Sequence, residues 1–404
     1  MKIKSLIKHV MPYELIVIIK RIKNQALRIL SFSPLIKTDY NYTLFSCKGK
    51  HTFFGYYDIS PFNSKNEVLY HEVTKDNAPA EIFVNTKDND NKRFIASTHA
   101  WNWQQGARLR WFPGSDDKVM FNDFDGSKYY CRVVNINTKK EEKILWPLYD
   151  ISEDGKFGLS LDFTRLGHRR PGYGYTHLPY DDKNICKDGI YIISISENKI
   201  IKIVTYEKIA EVMDLDKESY HNWYLNHLSF SPSSNKFLFF FIVGEGAAFN
   251  ASLLVYDFSS DTIKVLEKKG KVSHYDWLDD DTIICTCYEN NVCTYNVYHI
   301  SSYEVEVFNK KQLCSDGHPT YINSDSIISD TYPNNAGYQT VFYSSQENIQ
   351  PIAMLFDWKT VTAEKRTDLH PRLSQDHNYL SIDSNMTGKR NFIIINIENN
   401  GDKN

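Results

Sequence analysis

The sequence predicts a seven-bladed β-propeller. Two observations carry that expectation: one short unit recurs seven times, and its spacing is that of a four-stranded blade. The clearest copy runs from Asp368 to Ser384. A short strand ends at Leu373-Ser374, polar residues Gln375 to Asn378 make a turn, and Tyr379 to Asp383 alternates apolar with polar. Such alternation on both sides of a tight turn is a hairpin pattern. Aligned on Ser374, the other cores begin at Tyr57, Leu109, Tyr149, Leu228, Tyr275 and Pro319. The residues just before the seven cores are Tyr56, Arg108, Leu148, His227, His274, His318 and His370, separated by 52, 40, 79, 47, 44 and 52 residues. All but one gap lies near the roughly 40–50 residues of a propeller blade. A closed ring of such blades leaves no long open sheet edge.

Three regions follow: a basic amphipathic segment at 1–39, the propeller at 40–397, and a polar tail at 398–404. Residues 1–40 carry eight Lys/Arg against Glu14 and Asp39, so 8 − 2 = +6, which leaves −3 − 6 = −9 for the rest. The apolar run Leu15 to Ile19 is too short for the ~20 residues that span a bilayer. Pro12 and Glu14 interrupt it and no small-residue cleavage site follows, so a signal peptide is not expected. Leu6, Ile7 and Val10, then Leu15, Ile16, Ile19 and Ile22, fall at helical spacing. A basic amphipathic helix over residues 1–30, in peripheral contact with an anionic membrane, is the expectation.

Tyr40 to Ser46 reads as a strand. Blade seven supplies only three strands of its own, so residues 40–47 are expected to be its fourth and outermost. Blade two enters its inner strand through His99-Ala-Trp-Asn-Trp-Gln-Gln-Gly106. Asn102, Gln104 and Gln105 can hydrogen-bond a hydroxyl-rich ligand there, and Trp101 or Trp103 can stack on a sugar ring. The 79-residue gap holds the one large insertion, read as a loop from Thr164 to His177. Long loops on rigid scaffolds concentrate function. Arg165, Arg169 and Arg170 are suited to gripping a carboxylate, sulfate or phosphate, and Tyr173 and Tyr175 to moving protons.

Four successive blades place histidine at one repeat position: His227, His274, His318 and His370. Arg108 and Tyr56 hold the same position in earlier blades. Equivalent residues of a propeller converge on its axis. Converging neutral imidazoles either bind a divalent metal or supply one general base among ligand-binding neighbours. Asp330 and Asp368 are placed to orient the rings as acceptors.

Composition narrows the field. A net charge of −3 and a pI near 6.5 give no nucleic-acid signal. Seven cysteines with no CxxC pair argue against a disulfide framework or a zinc knuckle and suit a cytoplasmic protein.

The unit His370-Pro371-Arg372-Leu373-Ser374-Gln375-Asp376 resembles the repeat of TolB-type propellers. It resembles in particular the oligogalacturonate lyase family, a seven-bladed propeller with a metal, often manganese, at its axis. In that family, histidines plus a glutamine hold the metal, and a separate histidine removes the proton α to a uronate carboxylate. The resemblance implies a metal on His274, His318 and His370; it assigns neither the glutamine nor the base. The N-terminal segment is similar to leaders on enzymes of bacterial surface-polysaccharide synthesis, implying a cytoplasmic protein peripheral to the inner membrane.

The leading expectation is lyase-like β-elimination on an acidic glycan. In that reading Arg165, Arg169 or a metal neutralises the carboxylate, His227 or His168 takes the proton, and Tyr173 or Tyr175 protonates the leaving oxygen. Tyr56, Trp103, Gln104, Gln105, Arg108 and Arg170 bind the substrate. A glycosyl-transferring or modifying role in surface-polysaccharide synthesis, and a non-catalytic scaffold, are the alternatives.

Overall fold

The computed structural model describes residues 12–30, 32–180, 185–245, 248–268, 271–289, 292–358 and 363–398. The early stripe of Leu6, Ile7 and Val10, and nearly all of the polar tail, lie outside them.

Seven antiparallel sheets follow one another along the chain, six of four strands and one of five. The repeat explains how each begins. Ser374 Oγ donates to Asp376 Oδ1 at 2.5 Å, and the Tyr379 amide returns to Ser374 Oγ at 3.0 Å. Ser152 and Asp154 do the same at 2.7 Å, with the Phe157 amide at 2.9 Å. These side chains satisfy the turn backbone and set the register between inner and second strands. Aromatic and β-branched runs such as Phe237 to Ile242 then bury both faces of each sheet against its neighbours.

The two ends of the chain meet in blade seven. Tyr42–Phe45 pairs antiparallel with Asn391–Asn396, outside Tyr379–Ser384 and Arg372–Leu373. Phe45 is buried, edge-on to Tyr70 of blade one at 5.4 Å and to Phe392 at 5.2 Å. A second tie was not expected. Ile36–Lys37 adds a fifth strand to blade six by pairing with Ile349–Phe356. Phe45→Ala should therefore cost about 3–5 kcal/mol in urea unfolding. A loss below about 1 kcal/mol, within the range of surface changes, would mean that this strand does not close the ring.

The insertion in blade three is not simply a loop. Helix α2 (Phe163–Arg169) opens it, because the Asp162 side chain accepts from the Thr164 and Arg165 amides at 2.8 and 3.0 Å. Before it, helix α1 (Tyr13–Leu30) packs beside blades six and seven; after it, α3 (Tyr206–Met213) leads into blade four. No helix among the described residues is long and apolar enough to cross a membrane.

Candidate active site at the propeller axis

Backbone irregularities aim the histidines. Pairing of the inner strands shifts between Asn226 and Ser229 and between Val272 and Tyr275. Bulges of this kind turn a side chain off its strand face, here His227 and His274. His227 and His370 also adopt left-handed backbone, at φ 56° and 50°. Non-glycine residues held there cost roughly 1–3 kcal/mol and cluster at functional sites.

All four rings gather round Tyr56 and Tyr57. The centroids of His318 and His274 are 3.9 Å apart, and those of His318 and His370 4.4 Å. Tyr56 lies 4.9 Å from His370 on one side and 5.2 Å from His227 on the other. Each of the three clustered rings is fixed through Nδ1. His274 meets Asp316 at 3.1 Å, His318 meets Asp330 at 2.8 Å, and His370 donates to the Gly55 carbonyl at 2.7 Å. Asp330 also accepts the His318 and His370 amides, at 2.9 and 3.1 Å. One carboxylate thus orders two neighbouring rings.

With Nδ1 donating, Nε2 keeps a lone pair. The Nε2 atoms of His318 and His370 are buried and have no hydrogen-bond partner, and a buried polar atom left so costs about 1–3 kcal/mol. One ligand atom each from His318, Asp368 and His370 lie within 4.8 Å of one another. That donor set, with its acceptors behind it, fits a divalent cation. Burial, reinforced by His318 and Arg372, holds His370 well below the usual histidine range. Burial and His318 also lower His274. Burial opposes protonation of His318 too, but the Asp330 carboxylate outweighs it and raises this ring.

Beside the cluster is a narrow cleft lined among others by Tyr56, Arg170, Tyr173, His227, His274 and Arg366. It adjoins a wider opening edged by Arg170, Arg366, Tyr288, Tyr332 and Asp316. Arg366 Nε donates to Asp368 at 2.8 Å, and its Nη2 to the Tyr173 hydroxyl at 3.2 Å. The Arg170 guanidinium lies 5.4 Å over the Tyr173 ring and 4.5 Å over Phe249. Burial, then His274 and Arg170, keep His227 well below its ordinary pKa. His227 Nε2 lies 3.2 Å from Asn226 Nδ2 and 3.5 Å from the Tyr56 hydroxyl.

The structure thus brings together His227, His274, His318, His370, Tyr56, Tyr173 and Arg170. It sends the other expected site residues elsewhere. Arg165 is buried and donates to the Trp223 and Tyr220 carbonyls at 2.7 and 2.9 Å. Arg169 reaches the Tyr180 hydroxyl, and His168 stacks on the Tyr180 ring. Tyr175 is buried against Phe163 and accepts from Asn122 at 3.0 Å. Arg108 forks onto Asp58 at 3.1 and 2.9 Å and tops the Tyr149 ring. Gln104 donates to the Glu364 and Arg366 carbonyls, and Gln105 to the Tyr149 hydroxyl. Trp103, bonded to Asp76, walls an outer groove that Tyr173 also lines. The sequence carries no repeat signal for Arg366, in the connection between blades six and seven, or for Tyr332, in the loop between Ser326–Asp330 and Tyr338–Ser345 of blade six, and it marks Asp368 only as an orienting acceptor.

No family model matches the chain, and no curated protein matches it. Solved structures share its fold. An oligogalacturonate lyase in complex with manganese has a TM-score of 0.64 at 13% identity, covering 90% of this chain and 94% of the other. An oligogalacturonate lyase from Vibrio parahaemolyticus has a TM-score of 0.62 at 11% identity, covering 90% and 98%. TolB from Acinetobacter baumannii is more distant, with a TM-score of 0.41 at 14% identity, covering 83% and 67%. At these identities the likeness to the two lyase structures supports the propeller fold and no particular activity.

Proposed function

We propose that this propeller cleaves an acidic oligosaccharide by β-elimination at its axial cleft. The observation that carries the reading is that His227, kept neutral by burial, lines one cleft with two guanidinium side chains, Arg170 and Arg366, beside a His/Asp group with the donor atoms to hold a cation. The solved lyases of the same fold support it. Arg170 and Arg366 bind the uronate carboxylate, and forked hydrogen bonds orient it. His227 takes the proton from the carbon α to that carboxylate at Nδ1, the ring nitrogen without a hydrogen-bond partner, while Asn226 and Tyr56 hold Nε2. The electron pair left on that carbon forms the new C=C bond as the C–O bond β to the carboxylate breaks. The Tyr173 hydroxyl, beside Arg366, protonates the leaving oxygen. A divalent ion, manganese by resemblance, would be held by His318, His370 and Asp368 beside His274, and would supply Lewis-acid charge that acidifies the α-proton.

Uronate oligosaccharides incubated with protein and Mn²⁺ should yield an unsaturated product that absorbs in the ultraviolet. His227→Ala should lower kcat about 10²–10⁴-fold, the usual loss for a general base. Arg366→Ala should mainly raise KM. No absorbing product from a broad acidic-glycan panel would rule the lyase reading out.

A further inference from the structure

Helix α1 is packed inside out. An amphipathic helix on a globular protein normally turns its apolar stripe to the core. Val17, Arg21, Asn24 and Arg28 recur every three or four residues and form the face that meets the propeller. Val17 is only 1% exposed. Arg21 lies 5.1 Å over Trp358 and Arg28 5.6 Å over Phe356. The Asn24 side chain fills the space beside Gly337, where φ is +86° and an added Cβ would sit 2.7 Å from Asn24 Nδ2. The helix is therefore held by cation–π and polar contacts.

Its opposite face is apolar and exposed. Leu15, Ile18, Ile19, Ile22, Ile29 and Leu30 share it, and Ile22 is 65% and Leu30 76% exposed. Phe32, just past the helix end, is 94% exposed. Lys20 and Lys23 flank the stripe and are exposed too. Residues 1–40 carry +6 while the remainder carries −9 by the sequence count (8 − 2 = +6; −3 − 6 = −9). Arg21 and Arg28 face the propeller, so among the described residues of the helix Lys20 and Lys23 are the cations that edge the apolar stripe, and an apolar stripe edged by lysines matches an anionic bilayer surface. A second copy of the helix would bring like charges together.

We infer that α1 docks this protein on anionic membrane surfaces, with Ile18, Ile19, Ile22 and Ile29 in the acyl boundary and Lys20 and Lys23 among the headgroups. Arg21, Trp358 and Lys365 wall one cleft, and Arg366, next in sequence, lines the axial cleft, so the inner face of the helix is one residue along the chain from the axial site. The inference does not depend on the reaction proposed above.

The test is co-sedimentation of the full chain with vesicles of phosphatidylcholine alone or mixed with phosphatidylglycerol. Binding should require phosphatidylglycerol and weaken in high salt. The double variant Ile19→Glu, Ile22→Glu should bind at least about tenfold more weakly, since apolar burial is a main source of interfacial affinity. Both side chains face solvent, so its melting temperature should match the parent's and show that the loss is not misfolding. Equal binding to both vesicle types, or unchanged binding by the variant, would overturn the inference. So would a dimer in solution that the same double variant dissociates, which would assign the stripe to a second copy of the chain.

Discussion

Asp383→Ala should destabilise the propeller by about 3–5 kcal/mol, the cost of breaking a buried ion pair from one side. Asp383 and Arg372 are each 1% exposed and meet at 2.9 Å. The pair joins the last blade to the first. Asp383 accepts the Phe54 and Gly55 amides at 3.0 and 3.1 Å. Arg372 donates to the Gly55 and Tyr56 carbonyls at 2.5 and 3.0 Å. A Cβ added at Gly55, where φ is +133°, would stand 2.9 Å from the Gln105 backbone, so only glycine fits this loop. Truncating Asp383 leaves a buried guanidinium and two amides without their acceptor. Urea unfolding followed by tryptophan fluorescence measures the loss. The double variant Arg372→Met, Asp383→Ala should recover part of it, because apolar replacement of a whole buried pair is often near neutral. A single-variant loss below about 1 kcal/mol, the size of a surface ion pair, would show that the seam between these blades is held by something else.

That seam also shows where sequence reading stops. The repeat was legible because its turn chemistry is local: Ser374 and Asp376 satisfy the same five-residue turn that Ser152 and Asp154 do. The histidine positions were legible for a geometric reason, since rotational repetition sends like positions to one axis. The insertion obeys neither rule. It holds three arginines within six residues, and spacing alone cannot tell which one faces the cleft. Asp162 caps a helix there and carries Arg165 into the interior beneath Trp223, while Arg170, after the helix ends, emerges over Phe249. Arg366 comes from a stretch with no repeat or pattern at all. It reaches the cleft because Asp368, two residues on, holds its Nε, a contact visible only once blade seven is folded. Arg108 shares the histidines' repeat position, yet Asp58 captures its fork, so position alone did not decide role.

Under the function proposed above, the largest expected effect is loss of Mn²⁺ binding from His370→Ala and from His318→Ala. Each ring presents a buried, unpartnered Nε2, and the Nδ1 bond behind it fixes the tautomer that leaves this lone pair free. Replacing even outer partners of metal ligands commonly lowers affinity 10–100-fold, so loss of a ligand itself should exceed about 100-fold. Stability reports this without any assay of activity. Mn²⁺ at a hundred times its Kd should stabilise the parent by about 2.7 kcal/mol. The same concentration should leave either alanine variant nearly unchanged. Asp368→Asn should fall between them, because the amide oxygen still accepts from Arg366 while the anionic donor is gone. A chelator should reverse the parent's gain and leave the variants alone. If the variants gained as much stability from Mn²⁺ as the parent, the cation would bind elsewhere, and the orphaned nitrogens at the axis would have to be explained by ordered water.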